Sequence, residues 1–239
     1  MSVKITLGQF NHLKALSNQQ LVLTATTERT ATSGRLVTYD GDTDADGLPS
    51  LQADLSALRI AETGGDGVLL HLTYLANDDE VINDRKKTLV ERVGAEAKAN
   101  HLPLVLALAI PKTAVPAPEA VIAMTREFSD PRYNASVLTL PTPVPLSHVD
   151  GFTKTPATPT YDRAQAAALF KQQSAATDLP LVVDATGLRA ADAAAVLNFA
   201  HDSGEEVNGL LASPSVLTAL AKPLSKVATP WTAKVEVED

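Results

Sequence analysis

Seven short runs of Val and Leu, each separated from the next by a longer stretch of different periodicity, constrain this chain more than anything else in it. They read LVLTAT (21–26), RLVTYD (35–40), GVLLHLTYL (67–75), PLVLALAI (103–110), SVLTLP (136–141), PLVVDA (180–185) and VNGLLA (207–212). A strand that is apolar on both faces needs cover on both, which is the situation of parallel strands joined by crossover helices. The segments between them carry the helical pattern. EVINDRKKTLVERVGAEAKAN sets Val81, Ile82, Leu89, Val93 and Ala97 on one stripe with charges elsewhere, and PEAVIAMTREF and YDRAQAAALFKQQSAA behave alike. Asp162 is placed to cap the last of these, and Pro180 opens the strand that follows. Such alternation points to one α/β domain over residues 1–239: a TIM-type (β/α)8-like parallel barrel or, second, a doubly wound open sheet.

One crossover is too short for that plan. Only residues such as Glu28, Arg29, Thr30 and Ser33 separate the first two runs, whereas parallel neighbours need roughly a dozen residues to cross over. Either these two strands pair as a hairpin or one βα unit is missing or distorted. A barrel short of a unit exposes an edge, and the expected cover is the alternating AKVEVED near the C-terminus or a second subunit.

Composition removes whole classes of function. With no cysteine, thiolate nucleophiles, disulfides and zinc–cysteine sites are excluded, so reactive groups must be oxygen, lysine or histidine. A net charge of -8 and 4% aromatic residues oppose a surface that tracks phosphates or stacks bases, so nucleic acid is not an expected partner. No run approaches the roughly eighteen apolar residues of a membrane span, and MSVKITLGQFNHLK lacks a signal-peptide core, so the expectation is a cytoplasmic protein.

Several motifs offer chemistry. In DGDTDADG, Asp42, Asp44, Asp46 and Gly47 fall on the first, third, fifth and sixth positions of a calcium loop, but the twelfth is Ala53, and a solvated acidic turn is the competing reading. His12, His71, His101, His148 and His201 show no metal-ligand spacing; His71, in mid-strand, can face a barrel interior. Lys112 follows a strand at what would be the mouth of a barrel, where a lysine can be desolvated into a nucleophile, although no carboxylate partner is near it in sequence. Lys154 lies in the Pro- and Thr-rich stretch from Pro141 to Thr160. No Gly-x-Ser-x-Gly elbow, phosphate loop or dinucleotide fingerprint is present.

Beyond residue 48 the words become specific. VINDRKKTLVERVGAEAKANHLPLVL, EAVIAMTREFSDPRYNASVL, VPLSHVDGF, AAALFKQQSAATDLPLVV and NFAHDSGEEVNGLL, in this order, resemble the tagatose-1,6-bisphosphate aldolase family, class I lysine aldolases on a (β/α)8 barrel. The resemblance runs from about residue 48 to residue 212, with residues 1–47 matching loosely. It implies that the imine-forming lysine of the family falls on Thr139, a second lysine on Leu69, a strand-end glutamate on Ala107, and an Asp-Gln-Arg word on Thr27-Glu28-Arg29. The phosphate loops correspond to Ala185-Thr186-Gly187 and to Ser213-Pro214-Ser215. Arg29, Gly187, Gly209 and Ser213 are then the residues left for a sugar-phosphate ligand, no cofactor is implied, and the short first crossover matches a strand and helix that the family carries there. A hydroxyl cannot form a Schiff base. The resulting expectation is a divergent, shortened, non-catalytic homologue that works by binding or assembly, as a dimer or beside an active aldolase. The alternative is a lyase with a relocated lysine such as Lys112.

Overall fold

The computed structural model describes residues 3–17, 20–24, 34–111, 117–152 and 160–238. The chain begins with β1 (Val3–Thr6) and α1 (Leu7–Leu16), and reaches the main sheet at β2 (Leu21–Leu23). Next come β3 (Leu36–Thr38), the hairpin β4 (Asp40–Thr43) and β5 (Pro49–Leu51), and the short α2 (Ala57–Glu62). Alternation then sets in: β6 (Gly67–Thr73), α3 (Glu80–Ala99), β7 (Leu104–Ala109), α4 (Pro118–Phe128), β8 (Ala135–Leu140), α5 (Arg163–Ser174), β9 (Leu181–Asp184), α6 (Ala190–Asp202), β10 (Gly209–Leu211) and α7 (Pro214–Val227). A 3-10 turn, Trp231–Ala233, leads into β11 (Val235–Glu238).

Each of the seven runs supplies a strand, and together they form one parallel sheet in the order β2-β10-β9-β8-β7-β6-β3. Strand alternation divides its side chains between two cores. Val68, Leu70, Leu104, Leu106, Leu138, Leu181 and Leu210 join the helices outside. Leu69, Val105, Ala107, Val137, Val182 and Leu211 meet one another inside, together with Leu21 and Leu23 from one edge strand and Leu36 from the other. Residues from both edges can share a cluster only if the sheet curls, so the inner face is the lumen of a barrel left open between β2 and β3. These two strands are consecutive in sequence yet stand at opposite edges, so they do not form a hairpin. The β3-to-β6 connection is also unusual, since it holds the β4–β5 hairpin as well as α2.

The C-terminal segment does not cover an edge of the barrel. β11 pairs in parallel with β1, from Val3 against Val235 to Thr6 against Glu238, making a separate two-stranded ribbon. Its physical role is to close the N-terminal end of the lumen. Ile5, Leu13, Leu16 and the fully buried Trp231 enter the inner cluster from below, and Phe10 packs on Trp231 at 5.4 Å between ring centres. Thr6 starts α1 with a capping box, its hydroxyl accepting from Gln9 N while the Gln9 side chain accepts from Thr6 N. The Gln9 amide then donates to the Leu102 carbonyl just ahead of β7, which fixes the plug to the barrel.

Two sequence expectations meet the structure differently. Asp162 caps α5, accepting from Gln165 N at 2.8 Å, as expected. The stripe on α3 is met in part: Val93 and Ala97 are buried and Leu89 packs against the core as expected, but Val81 is 68% exposed, and Asn83, Lys86, Val90 and Gly94 complete the buried face. Small and polar residues fill it because neighbours come very close; a Cβ on Gly94 would overlap the Tyr133 carbonyl. No helix among the described residues is long and apolar enough to cross a membrane.

Candidate functional site

Enzymes with this architecture build their sites where the parallel strands end, at the C-terminal mouth. Three of the residues singled out from the sequence form the floor beneath it. Leu69 and Thr139 are 0% exposed and Ala107 is 5% exposed. Each projects inward, with Leu69 and Ala107 in the apolar lumen cluster. Register brings them together: Thr139 pairs with Ala107 across β8 and β7, and Val105, two residues earlier, pairs with Leu69 on β6. The Thr139 hydroxyl finds no hydrogen-bond partner among the described residues. An unsatisfied buried hydroxyl costs about 1–3 kcal/mol, so the lumen has a polar atom at this depth with nothing to serve.

Above the floor the chemistry turns polar. His71, two residues beyond Leu69 on the same face of β6, leans on Asp40 at the start of β4. Asp40 Oδ1 accepts from the His71 backbone N–H at 2.8 Å, and the imidazole Nδ1 stands 3.0 and 3.1 Å from the two carboxylate oxygens. A carboxylate only accepts, so Nδ1 carries the proton and Nε2 is the nitrogen left for a ligand. The hydrogen bond to Asp40 raises the His71 pKa; partial burial opposes this, while the charges of Asp40 and Asp184 reinforce it. His71 therefore holds its proton to higher pH than a free imidazole.

Asp184, the last residue of β9, faces the same mouth, and its Oδ1 accepts from Thr186 N at 2.8 Å and Thr186 Oγ1 at 2.6 Å. The turn that makes this pairing continues into Gly187, whose φ of +81° suits a residue without a side chain. Thr186, Gly187, His71, Leu69 and Ser213 line one small cavity of about 210 Å³; His71, Ala107, Asp184 and Gly47 line a second of about 80 Å³. His71 stands at both. The arrangement can donate or accept a proton at Nε2 and can hold hydroxyl groups on Asp184, Thr186 and Ser213.

Of the residues expected for a ligand, Gly187 and Ser213 are at the mouth. Gly209 is not: it begins β10 at the opposite end, where a Cβ would overlap the Leu21 carbonyl, so its role is the close approach of two strands. Thr27, Arg29, Lys112 and Lys154 lie outside the described residues. The acidic run becomes the β4–β5 hairpin and its turn, where Asp44 Oδ1 accepts from Asp46 N and Leu48 N. Asp46 pairs with Arg85 at 3.5 Å, and the ammonium of the buried Lys86 lies beneath Gly47, 3.2 Å from where a Cβ would stand. Among the described residues, Asp42, Asp44 and Asp46 do not gather into a metal-ligand group, nor does any other trio of His, Asp or Glu. Sequence reading missed Asp40 and Asp184. Asp184 had one available sign, a carboxylate ending an otherwise apolar strand.

Comparison with known proteins agrees with this architecture. A family model described as DeoC/LacD family aldolase matches residues 14–213. Tagatose 1,6-diphosphate aldolase of Lactococcus lactis subsp. lactis is 32% identical over 225 residues, covering 79% of this chain and 68% of that protein. Tagatose 1,6-diphosphate aldolase 2 of Enterococcus faecalis is 34% identical over 195 residues, covering 77% of this chain and 58% of that protein. The chain thus spans under two thirds of the second relative. Among solved structures, a Schiff-base-forming fructose-1,6-bisphosphate aldolase superposes with a TM-score of 0.57 at 14% identity, covering 84% of this chain and 74% of the other. An archaeal fructose-1,6-bisphosphate aldolase, solved with its catalytic Lys bound to a carbinolamine intermediate, gives 0.58 at 11% identity, covering 95% and 94%. The structural likenesses establish the barrel, and the sequence likenesses establish descent: this chain belongs to the DeoC/LacD family of aldolases, within its tagatose-1,6-bisphosphate aldolase branch.

Proposed function

We propose that this chain is a non-catalytic member of its family with respect to Schiff-base carbon–carbon cleavage, and that it acts by binding a small ligand at the mouth of the barrel. The observation that carries the reading is Thr139, fully buried on the lumen wall with an unpartnered hydroxyl. Imine formation needs a primary amine at the reacting carbonyl. The floor offers a hydroxyl, Leu69 and Ala107 in its place, while the rim keeps donors and acceptors in His71, Asp184, Thr186 and Ser213. That division suits holding a polyhydroxylated molecule such as a sugar phosphate. The position of β2 and β3 as the two edge strands of the sheet among the described residues supports the assembly side of the reading, a second copy or an active aldolase as neighbour, which the mass of the native particle in solution would report.

The test is chemical trapping. Incubated with dihydroxyacetone phosphate and borohydride, the intact protein is expected to gain no mass. A reduced adduct on any lysine overturns the proposal. It would establish instead the second reading, a lyase with a relocated amine such as Lys112, which the names of the relatives favour. Peptide mapping of the adduct would identify that lysine.

A further inference from the structure

A cavity of about 700 Å³ lies not in the lumen but beside the mouth, between the segment that follows β8 and the start of α6. Its walls are mostly apolar, with Pro141, Pro145, Leu146, Phe152, Leu188 and Val196 facing the space. Its volume is in the range of small-molecule sites, about 300–1,000 Å³. Phe152 is held in place from two sides, by the edge of Phe199 with ring centres 5.6 Å apart and by the guanidinium of Arg163 at 5.0 Å.

Asp184 and Thr186 line this space and also reach the mouth, Asp184 bordering one of its small cavities and Thr186 the other. Both hydrogen bonds that Asp184 receives from the described residues go to Oδ1, so Oδ2 is the oxygen with capacity left. The cation lining the same cavity, Arg189, is already engaged, its Nε and Nη2 at 2.8 and 3.1 Å from the two oxygens of Asp192. His148 is the remaining titratable group on the wall. A carboxylate on the wall of a mostly apolar cleft is complemented most strongly by a charged donor.

We propose that this lateral cavity binds a small amphipathic amine, an aromatic or aliphatic body lying between Leu146, Phe152 and Val196 with its ammonium group on Asp184. The site is separate from the floor at Thr139. It stands whether or not the protein splits a sugar phosphate, and the trapping experiment above reads a different event.

The test is calorimetric titration of the full-length protein with tryptamine, compared with indole-3-propionate, which carries a similar ring with the opposite charge. Tryptamine is expected to bind at least tenfold more tightly. Asp184→Asn is expected to remove that preference while leaving residual binding of the ring. Ala195→Trp, which fills the cavity from α6, is expected to abolish binding of both compounds while leaving the thermal melt of the protein in place. Equal affinity for the two compounds, binding of neither, a preference that survives Asp184→Asn, or binding unchanged by Ala195→Trp in a folded protein would each overturn the proposal.

Discussion

The two ends of the barrel solve opposite problems. At the N-terminal end α1, the β1–β11 ribbon and Trp231 close the lumen with aliphatic and aromatic side chains, and Gln9 ties this plug to the Leu102 carbonyl. At the C-terminal end the same lumen stops at Leu69, Ala107 and Thr139 and gives way within two residues to His71, Asp40 and Asp184. The closed end is where hydrophobic burial holds the fold together. The open end has kept a polar rim over an apolar floor. The difference teaches how position along a strand sorts side chains: His71 and Asp184 stand toward the C-terminal ends of β6 and β9, where the lumen opens, whereas Leu69, Ala107 and Thr139 are packed within it.

The sharpest way to break this contrast is to place an amine on the floor. Thr139→Lys would bury an unpaired ammonium among Leu69, Val105 and Val137, and is expected to destabilise the protein by about 3–5 kcal/mol in urea unfolding. Wild-type stability in that variant would mean the floor is hydrated and the contrast false.

Next in size is Glu205, 6% exposed between α6 and β10 at the closed end, where burial pushes its pKa up to about 8. The folded protein holds this proton up to about pH 8, whereas the unfolded chain releases it in the ordinary carboxyl range. Stability therefore falls as pH rises between those two values. Glu205→Gln is expected to flatten that slope, with no advantage at pH 4 and a gain on the order of 3 kcal/mol above pH 8. Parallel pH profiles in the two proteins would place the carboxyl in water.

A smaller effect is expected from Thr139→Val, which removes the orphaned hydroxyl at nearly constant volume and should stabilise by about 1 kcal/mol. A loss of stability would reveal a partner for that hydroxyl. Smallest is the rim itself. NMR titration of His71 is expected to show a midpoint above the ordinary imidazole value, with Asp40→Asn bringing it down. Because the folded pKa is the raised one, the pairing stabilises fully below the ordinary value and is lost as pH rises through the folded midpoint. His71 is about half exposed, so its effect on stability should be slight.

Much of this was legible in the sequence, for reasons particular residues make plain. All seven strands announced themselves because parallel strands buried on both faces must be runs of Val and Leu, whereas Leu69, Ala107 and Thr139 were singled out by the resemblance to the aldolase family, and the fold places them in the lumen. The stripe on α3 misled because apolar character and burial part company there: Val81 faces water, while Lys86 folds its stem beneath the β4–β5 turn. The His71–Asp40 pair joins residues 31 apart, and the β1–β11 ribbon joins Val3 to the far more distant Val235. No local pattern encodes either meeting, so only the assembled fold reveals them.

The ribbon also bears on the timing of folding. Val3 cannot meet Val235 until all the chain between them has emerged from the ribosome. The β6–β7–β8 core, built from near neighbours in sequence, can form long before that. The nascent barrel must therefore wait with its underside unsealed, Leu13 and Leu16 without their late-arriving neighbour Trp231, and that interval is when the growing protein is most vulnerable to aggregation.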